Sequence, residues 1–269
     1  MKLDIFQVDA FTTRPFGGNP AAVVPLECWL PAETMQQIAM ENNLAETAFF
    51  VRDGDGFGLR WFTPSVEIDL CGHATLASAF VLYELLGETT NIIRFQTKSG
   101  ELTVQRQGQR LVLDFPSRPA APCDTPAGLV EAIGREPKHV LRSRDYMLVY
   151  ESEADIRAIA PNFVEILKIP THAVIVTAPG EDCDFVSRFF APEVGVFEDP
   201  VTGSAHCTLI PYWAERLGKN VLFARQVSAR GGELFCELRG DRVKIGGEAT
   251  LYLKGEIYVE TAGEKSVGA

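Results

Sequence analysis

The chain repeats itself, and that constrains its fold more than any other feature. "CGHATLASAFVLYELLG" (71–87) has a near-echo in "TGSAHCTLIPYWAERLG" (202–218), at an offset of 131. Upstream, "FGLRWFTP" (57–64) matches "FVSRFFAP" (185–192) at an offset of 128. Downstream, "GELTVQRQGQRLVL" (100–113) matches "GELFCELRGDRVKI" (232–245) at 132. Three blocks in the same order, with offsets drifting as short insertions make them drift, indicate a duplication. Each copy reads as a strand, a Gly turn, an apolar helix and then alternating strands, with hairpin signals at Gly108 and Gly240. The expected architecture is α+β: two pseudo-symmetric lobes, each a curved, mostly antiparallel sheet wrapped around a central apolar helix. We expect lobes at 1–118 and 119–269, joined through the Pro- and Ala-rich stretch 117–128. The C-terminal tail can return to the first lobe.

Composition fits that plan. The 269 residues give each half enough chain for a core, and 46% hydrophobic with 23% charged residues is a globular balance. The most apolar run, Ala74 to Leu86, is too short for a membrane span and reads as a buried helix. "MKLDIFQVDAF" alternates like a strand and lacks the features of a signal peptide. The six cysteines form no CxxC pair, so reduced thiols and a cytoplasmic location are expected. Net charge is −11 without a basic stripe, which argues against nucleic acid as a partner.

An acidic protein that binds an anion must build its positive potential locally. The first N–H groups of a helix have no partner within it and carry the positive end of its dipole, and a Gly there admits close approach. Gly72-His73 and Gly203-Ser204 are therefore expected to face one another across a cleft, holding a carboxylate or a developing oxyanion. Taken singly, each turn reads equally well as an ordinary capped core helix. "CGHA" adds Cys71 and His73, and "FEDPVTGSAHC" adds Glu198, Asp199, Thr202 and Ser204. In "ENNLAETAFFV", Glu46 stands where a loop enters a strand, among apolar neighbours. Such surroundings suit a carboxyl to acid/base work near neutral pH. Alone, Glu46 would read as an exposed strand-edge residue.

Other readings are weaker. Cys71, His73, His206 and Cys207 are zinc-type ligands, but adjacent helical His206 and Cys207 point apart, so no metal is expected. "GDGFG" (54–58) is too short for a dinucleotide fingerprint and reads as a hairpin turn. His139 reads as a surface residue. Pro211 falls inside the second helix, where a bend between Ala205 and Pro211 is expected.

"DAFTTRPFGGNPAAVV", "NLAETAFF", "RWFTPSVEIDLCGHATLASA" and "EDPVTGSAHC", spanning residues 9 to 207, together resemble the PhzF family of phenazine-biosynthesis-like proteins. The resemblance implies a diaminopimelate epimerase-like fold with the site between two lobes. The founding enzyme of that family isomerises dihydro-3-hydroxyanthranilate without cofactor or metal. By resemblance, Glu46 is the acid/base that moves a proton between carbons, His73, Asp199 and Ser204 line the pocket beside the Gly72 and Gly203 turns read above, and Asn19 in "GGNP" lies close by. A homodimer is implied too. The expected activity is cofactor-independent isomerisation of a small, cyclic or unsaturated carboxylic acid. The alternatives are an amino-acid epimerase or racemase of the same fold, or a non-catalytic ligand-binding member. Epimerases of this fold use one thiol from each turn; here Cys71 is answered by Thr202, so the two-thiol mechanism lacks its second thiol. The stretch of copy two near the counterpart of Glu46 is "IPTHAVIVT", leaving Thr171 or His172 as the match.

Overall fold

Strand and helix periods along each copy translate into the same succession of elements twice. The structure is a computed structural model that describes residues 1–260. The first copy runs β1 (Lys2–Ala10), β2 (Asn19–Leu26), α1 (Ala32–Asn42), β3 (Glu46–Asp53), β4 (Gly56–Phe62) and β5 (Glu67–Ile68). Helix α2 (Gly72–Phe80) follows, prolonged by a π-helical turn (Val81–Leu85), then β6 (Ile92–Thr97), β7 (Gly100–Gln107) and β8 (Arg110–Pro116). The second copy opens with β9 (Ala121–Pro122), α3 (Leu129–Ile133), β10 (His139–Arg142), β11 (Tyr146–Val149), α4 (Glu153–Ala158) and α5 (Phe163–Ile166). It continues with β12 (Val174–Pro179), β13 (Phe185–Ala191), β14 (Val196–Asp199) and α6 (Gly203–Leu217). The last strands are β15 (Val221–Gln226), β16 (Gly232–Arg239), β17 (Arg242–Gly247) and β18 (Ala249–Tyr258).

The pairing repeats along with the elements. Antiparallel β1–β2, parallel β2–β3, antiparallel β3–β4 and parallel β4–β6 recur as β10–β11, β11–β12, β12–β13 and β13–β15. The β6–β7–β8 meander recurs as β15–β16–β17. Gly108 and Gly240 turn these meanders at φ +65° and +61°, the left-handed region that Gly enters without steric cost. The two sheets join where β8 pairs with β17, and β18 crosses back to pair with β1 along its length. The expected boundary at 118/119 falls in the stretch between β8 and β9; residues 261–269, the end of the expected second lobe, lie outside the described residues.

Period-two alternation sorts the strand side chains between two layers. In β2, Ala21 and Val23 point to the core around α2, and Ala22 and Val24 to a smaller core under α1. In β12, Ile175 joins the central core and Val174 and Val176 the one under α3, α4 and α5. Strands covered on both faces need apolar residues throughout, which is why these segments read as continuous apolar runs. The helices α2 and α6 share the central core, and Trp213 of α6 stacks on Phe185 of β13 at 5.6 Å between centroids. "ADIRAIAPNFVEILKI" carries two short helices, α4 and α5, separated at Pro161.

Pro211 does not interrupt α6, which is continuous from Gly203 to Leu217. A proline at 211 leaves the carbonyl of Cys207 without its helical donor. The backbone N–H of Arg118, in the joint between lobes, donates to that carbonyl at 2.9 Å. Helix α2 is irregular at the same level, since its π-helical turn begins directly after Phe80, which corresponds to Pro211 at the 131 offset. Both helices end on left-handed glycines, Gly87 (φ +74°) and Gly218 (φ +65°).

A latch ties the lobes near the loop that carries "RPFGGNP". Arg230, from the loop before β16, reaches the buried Asp9 at 2.8 Å and donates to the carbonyls of Gly17 and Gly18. Asp9 also accepts from the N–H of Phe16. Gly18 has φ +60°, and a Cβ there would lie 2.1 Å from the carbonyl oxygen of Ala10, so only glycine fits.

Candidate active site

The two helix starts are built alike. Cys71 caps α2 and Thr202 caps α6, both in extended conformation and neither with a side-chain cap bond. In each helix a side chain one turn on donates to the cap carbonyl: Thr75 Oγ1 to Cys71 O at 2.5 Å, and His206 Nδ1 to Thr202 O at 2.8 Å. Thr75 and His206 are themselves equivalent at the 131 offset. The starts face one another, for a Cβ on Gly72 would sit 3.6 Å from the Cα of Gly203, and one on Gly203 3.7 Å from that of Gly72. Beside this contact opens a cavity of 620 Å³, a size that suits a small molecule. Glu46, Gly72, His73, Asp199, Gly203 and Ser204 all line it, together with Cys71 and Thr202. The helix starts therefore present amide donors to one shared space.

Glu46, the first residue of β3, places Oε2 2.9 Å from Nε2 of His73. The pair is close but not aligned as a hydrogen bond, and among the described residues neither atom has another partner. Asn19 is fully buried behind this pair rather than on the cavity wall. Its Nδ2 donates to Asp199 Oδ1 (2.8 Å) and Val201 O (2.9 Å), and lies 3.1 Å from His73 Nδ1. The two shorter contacts use both amide hydrogens, so His73 Nδ1 can carry a proton, with Cys71 Sγ 3.5 Å away.

Burial opposes charge on His73, but the fields of Cys71 and Glu46 outweigh it and hold its pKa well above the usual histidine value. Burial first, and then the charge of Glu46, keep the Cys71 thiol protonated. Glu46 is thus the partner to which we attribute the rise at His73. Burial pushes Asp199 up to about 6, with Glu46 adding to the rise and His73, Thr202 and Asn19 opposing it. Thr202 Oγ1 donates to Asp199 Oδ2 at 2.5 Å, and Gln226 clamps the turn through Thr202 N and Asp199 O.

Strand register identifies the counterpart of Glu46. Phe62 faces Thr47, and its equivalent Phe190 faces Val174, so Glu46 corresponds to Ala173 rather than to Thr171 or His172. Thr171 is buried and bonds the carbonyl of Ala173; His172 lines the cavity. The carboxylate is unduplicated. By the same logic Asp199, facing Phe189, corresponds to Ile68, facing Trp61. The sequence reading did not find Gln226, Arg230, Arg144 or Asp145, which belong to no repeat block and no motif with a recognisable spacing.

The zinc-type residues do not assemble as a set of four. His206 spends Nδ1 on Thr202 O, packs on Phe185 and is pushed down to about 4 by burial; burial pushes Cys207 up to about 11. Among the described residues, potential ligand atoms of Glu46, Cys71 and His73 do lie within 4.8 Å of one another. All six cysteines are unpaired, and among the described residues no helix is long and apolar enough to cross a membrane. Gly54 makes the β3–β4 hairpin turn at φ +58°, and His139 is exposed.

Comparison with known proteins agrees with this architecture. An uncharacterized isomerase of Pseudomonas aeruginosa is 55% identical over 260 residues, covering 96% of this chain and all of that one. A crystal structure of a PhzF family protein from Enterococcus faecalis matches with TM-score 0.94 and 46% identity, over 96% of this chain and all of that one. A hydroxyproline epimerase from Agrobacterium vitis shares the fold alone, at TM-score 0.62 and 10% identity over 97% of this chain and 94% of that one. The family model described as phenazine biosynthesis-like protein, PhzC-PhzF, matches residues 8–255. With twin lobes, facing helix starts and Glu46 and His73 side by side between them, the chain belongs to the PhzC-PhzF family of phenazine biosynthesis-like proteins.

Proposed function

We propose that this protein is an isomerase that moves a proton between carbons of a small, cyclic or unsaturated carboxylic acid without a cofactor. One observation carries the reading: Glu46 Oε2 and His73 Nε2 stand 2.9 Å apart without hydrogen-bond partners, on the wall of a cavity closed by two helix starts. Glu46 takes a proton from one substrate carbon. The electrons flow toward the conjugated system and place charge on a substrate oxygen. Protonated His73 and the amides at Gly72, His73, Gly203 and Ser204 stabilise that charge. Glu46 then returns the proton at a second carbon, so protons and electrons balance within the substrate. Preorganised donors of this type contribute on the order of 10²–10³ in rate, and a positioned acid/base on the order of 10²–10⁴. Asp199, protonatable near pH 6, orients substrate or acts as a partner acid.

The isomerase names of relatives support the class of reaction. Against a two-thiol epimerase stands Thr202 at the place that answers Cys71. The six unpaired cysteines support a cytoplasmic setting, and we take the working form to be a homodimer, which sedimentation equilibrium checks. The central test is Glu46→Gln with small carboxylates screened for solvent deuterium uptake. Exchange catalysed by the wild type should fall about 10²–10⁴-fold in the variant. Exchange at the wild-type rate in that variant removes Glu46 from the mechanism, and binding without exchange by any compound favours a non-catalytic ligand-binding protein.

A further inference from the structure

On the cavity that Glu46 lines, the second lobe contributes a group that the proposed proton transfer does not use. Arg144 and His172 line the same cavity, Arg144 from the β10–β11 turn and His172 from the loop entering β12. Asp145, nearly buried, lies 2.8 Å from His172 Nδ1, and Arg144 Nη2 lies 2.9 Å from His172 Nε2. These contacts have one consistent reading. His172 donates from Nδ1 to the carboxylate and accepts at Nε2 from the guanidinium, so both ring nitrogens are occupied and neither is free to act as a base. The ring is a rigid spacer that aims Arg144.

The charge pattern of the wall says what Arg144 is aimed at. It is the sole Lys or Arg among the lining residues, against the carboxyls of Glu46, Asp69, Glu193 and Asp199. Among the described residues no carboxylate lies within 4.0 Å of it. An Arg tethered by a neutral acceptor keeps its charge and its planar donor fork for a ligand. His172 stands one residue before Ala173, the counterpart of Glu46, so the two copies have turned equivalent strand entries to different uses.

We propose that Arg144, positioned by the Asp145–His172 pair, binds the carboxylate of the substrate, which leaves the amides at Gly72 and Gly203 for the oxygen that gains charge during reaction. The assignment rests on the isomerase reading for its substrate class, but its test does not require turnover. Benzoate and its neutral isostere benzamide are titrated calorimetrically into wild type, Arg144→Gln, His172→Ala and His172→Gln. Wild type should bind benzoate, and Arg144→Gln should weaken it roughly ten- to a hundredfold while leaving benzamide unchanged. His172→Ala should lose part of that discrimination and His172→Gln, whose amide can bridge Asp145 and Arg144, should regain it; a merely structural role would not show this rescue. Arg144 is exposed, so its replacement is compatible with folding. The proposal is overturned if Arg144→Gln holds benzoate within twofold of wild type, if wild type does not prefer benzoate to benzamide, or if benzoate fails to bind at millimolar concentration. Wild type that binds benzoate yet catalyses no deuterium exchange into any carboxylate screened sinks the isomerase reading and leaves the role of Arg144 standing.

Discussion

The two lobes repeat their backbone closely and differ where chemistry is at stake. Strand pairings, hairpin glycines, helix ends, cap-carbonyl bonds and even the helix irregularity at Phe80 and Pro211 recur. The side chains around the cavity diverge: Glu46 against Ala173, His73 against Ser204, Cys71 against Thr202, and Ile68 against Asp199. Duplication supplies a symmetric cradle of helix-start amides. Asymmetry of the side chains gives the two walls of that cradle different charged and proton-carrying groups.

Three measurements probe this comparison beyond the kinetic and binding tests of Glu46 and Arg144. The largest effect belongs to the cores of the two central helices. Trp213 is fully buried, stacks on Phe185 and donates to Thr177 Oγ1 at 2.9 Å; its counterpart Leu82 is buried in the π-helical turn. Trp213→Ala should cost about 3–5 kcal/mol and Leu82→Ala about 2–3 kcal/mol, measured by urea denaturation. Equal losses would mean that the helices anchor their lobes alike despite the difference in side chain.

The second contrast is Asp199 against Ile68. The folded-state pKa of Asp199, raised from 3.8 to about 6, means that the folded state binds the proton more tightly than the unfolded chain does. The cost of ionising it is absent below about pH 4 and fully present above about pH 6, so this group makes stability fall as pH rises through that window. A shift of this size corresponds to roughly 3 kcal/mol. Between pH 4 and pH 7 the wild type should lose up to that much stability relative to Asp199→Asn. Parallel pH curves for the two proteins would contradict the assignment.

The smallest effect is at Pro211. A helix-interior proline ordinarily costs about 3 kcal/mol. Here the orphaned Cys207 carbonyl already accepts from Arg118, so Pro211→Ala should change stability by less than about 1 kcal/mol. A gain near 3 kcal/mol would show that the Arg118 contact contributes little.

Much of the fold was legible because duplication leaves spacing behind. The hairpins at Gly108 and Gly240, the apolar helices after Gly72 and Gly203, and the strand that begins at Glu46 all follow from local rules that a linear pattern carries. Glu46, Gly72, His73, Asp199, Gly203 and Ser204 line one cavity. Asn19 was singled out with them, but it stands behind His73 as a buried tether. The counterpart of Glu46 was not legible, because the copies diverge there and only strand register, a relation between distant segments, identifies Ala173.

The sequence by itself determined the twin-lobe plan and the helix starts, since each rests on periodicity, turn chemistry or repetition within a short window. Tertiary structure alone decided that Gly72 meets Gly203, that Arg118 answers Pro211, that Arg230 latches Asp9, and that Arg144 lines the same cavity as Glu46. The physical reason is that these contacts join residues far apart in the chain. Their distances and fields come into being only when the two sheets close around their shared core.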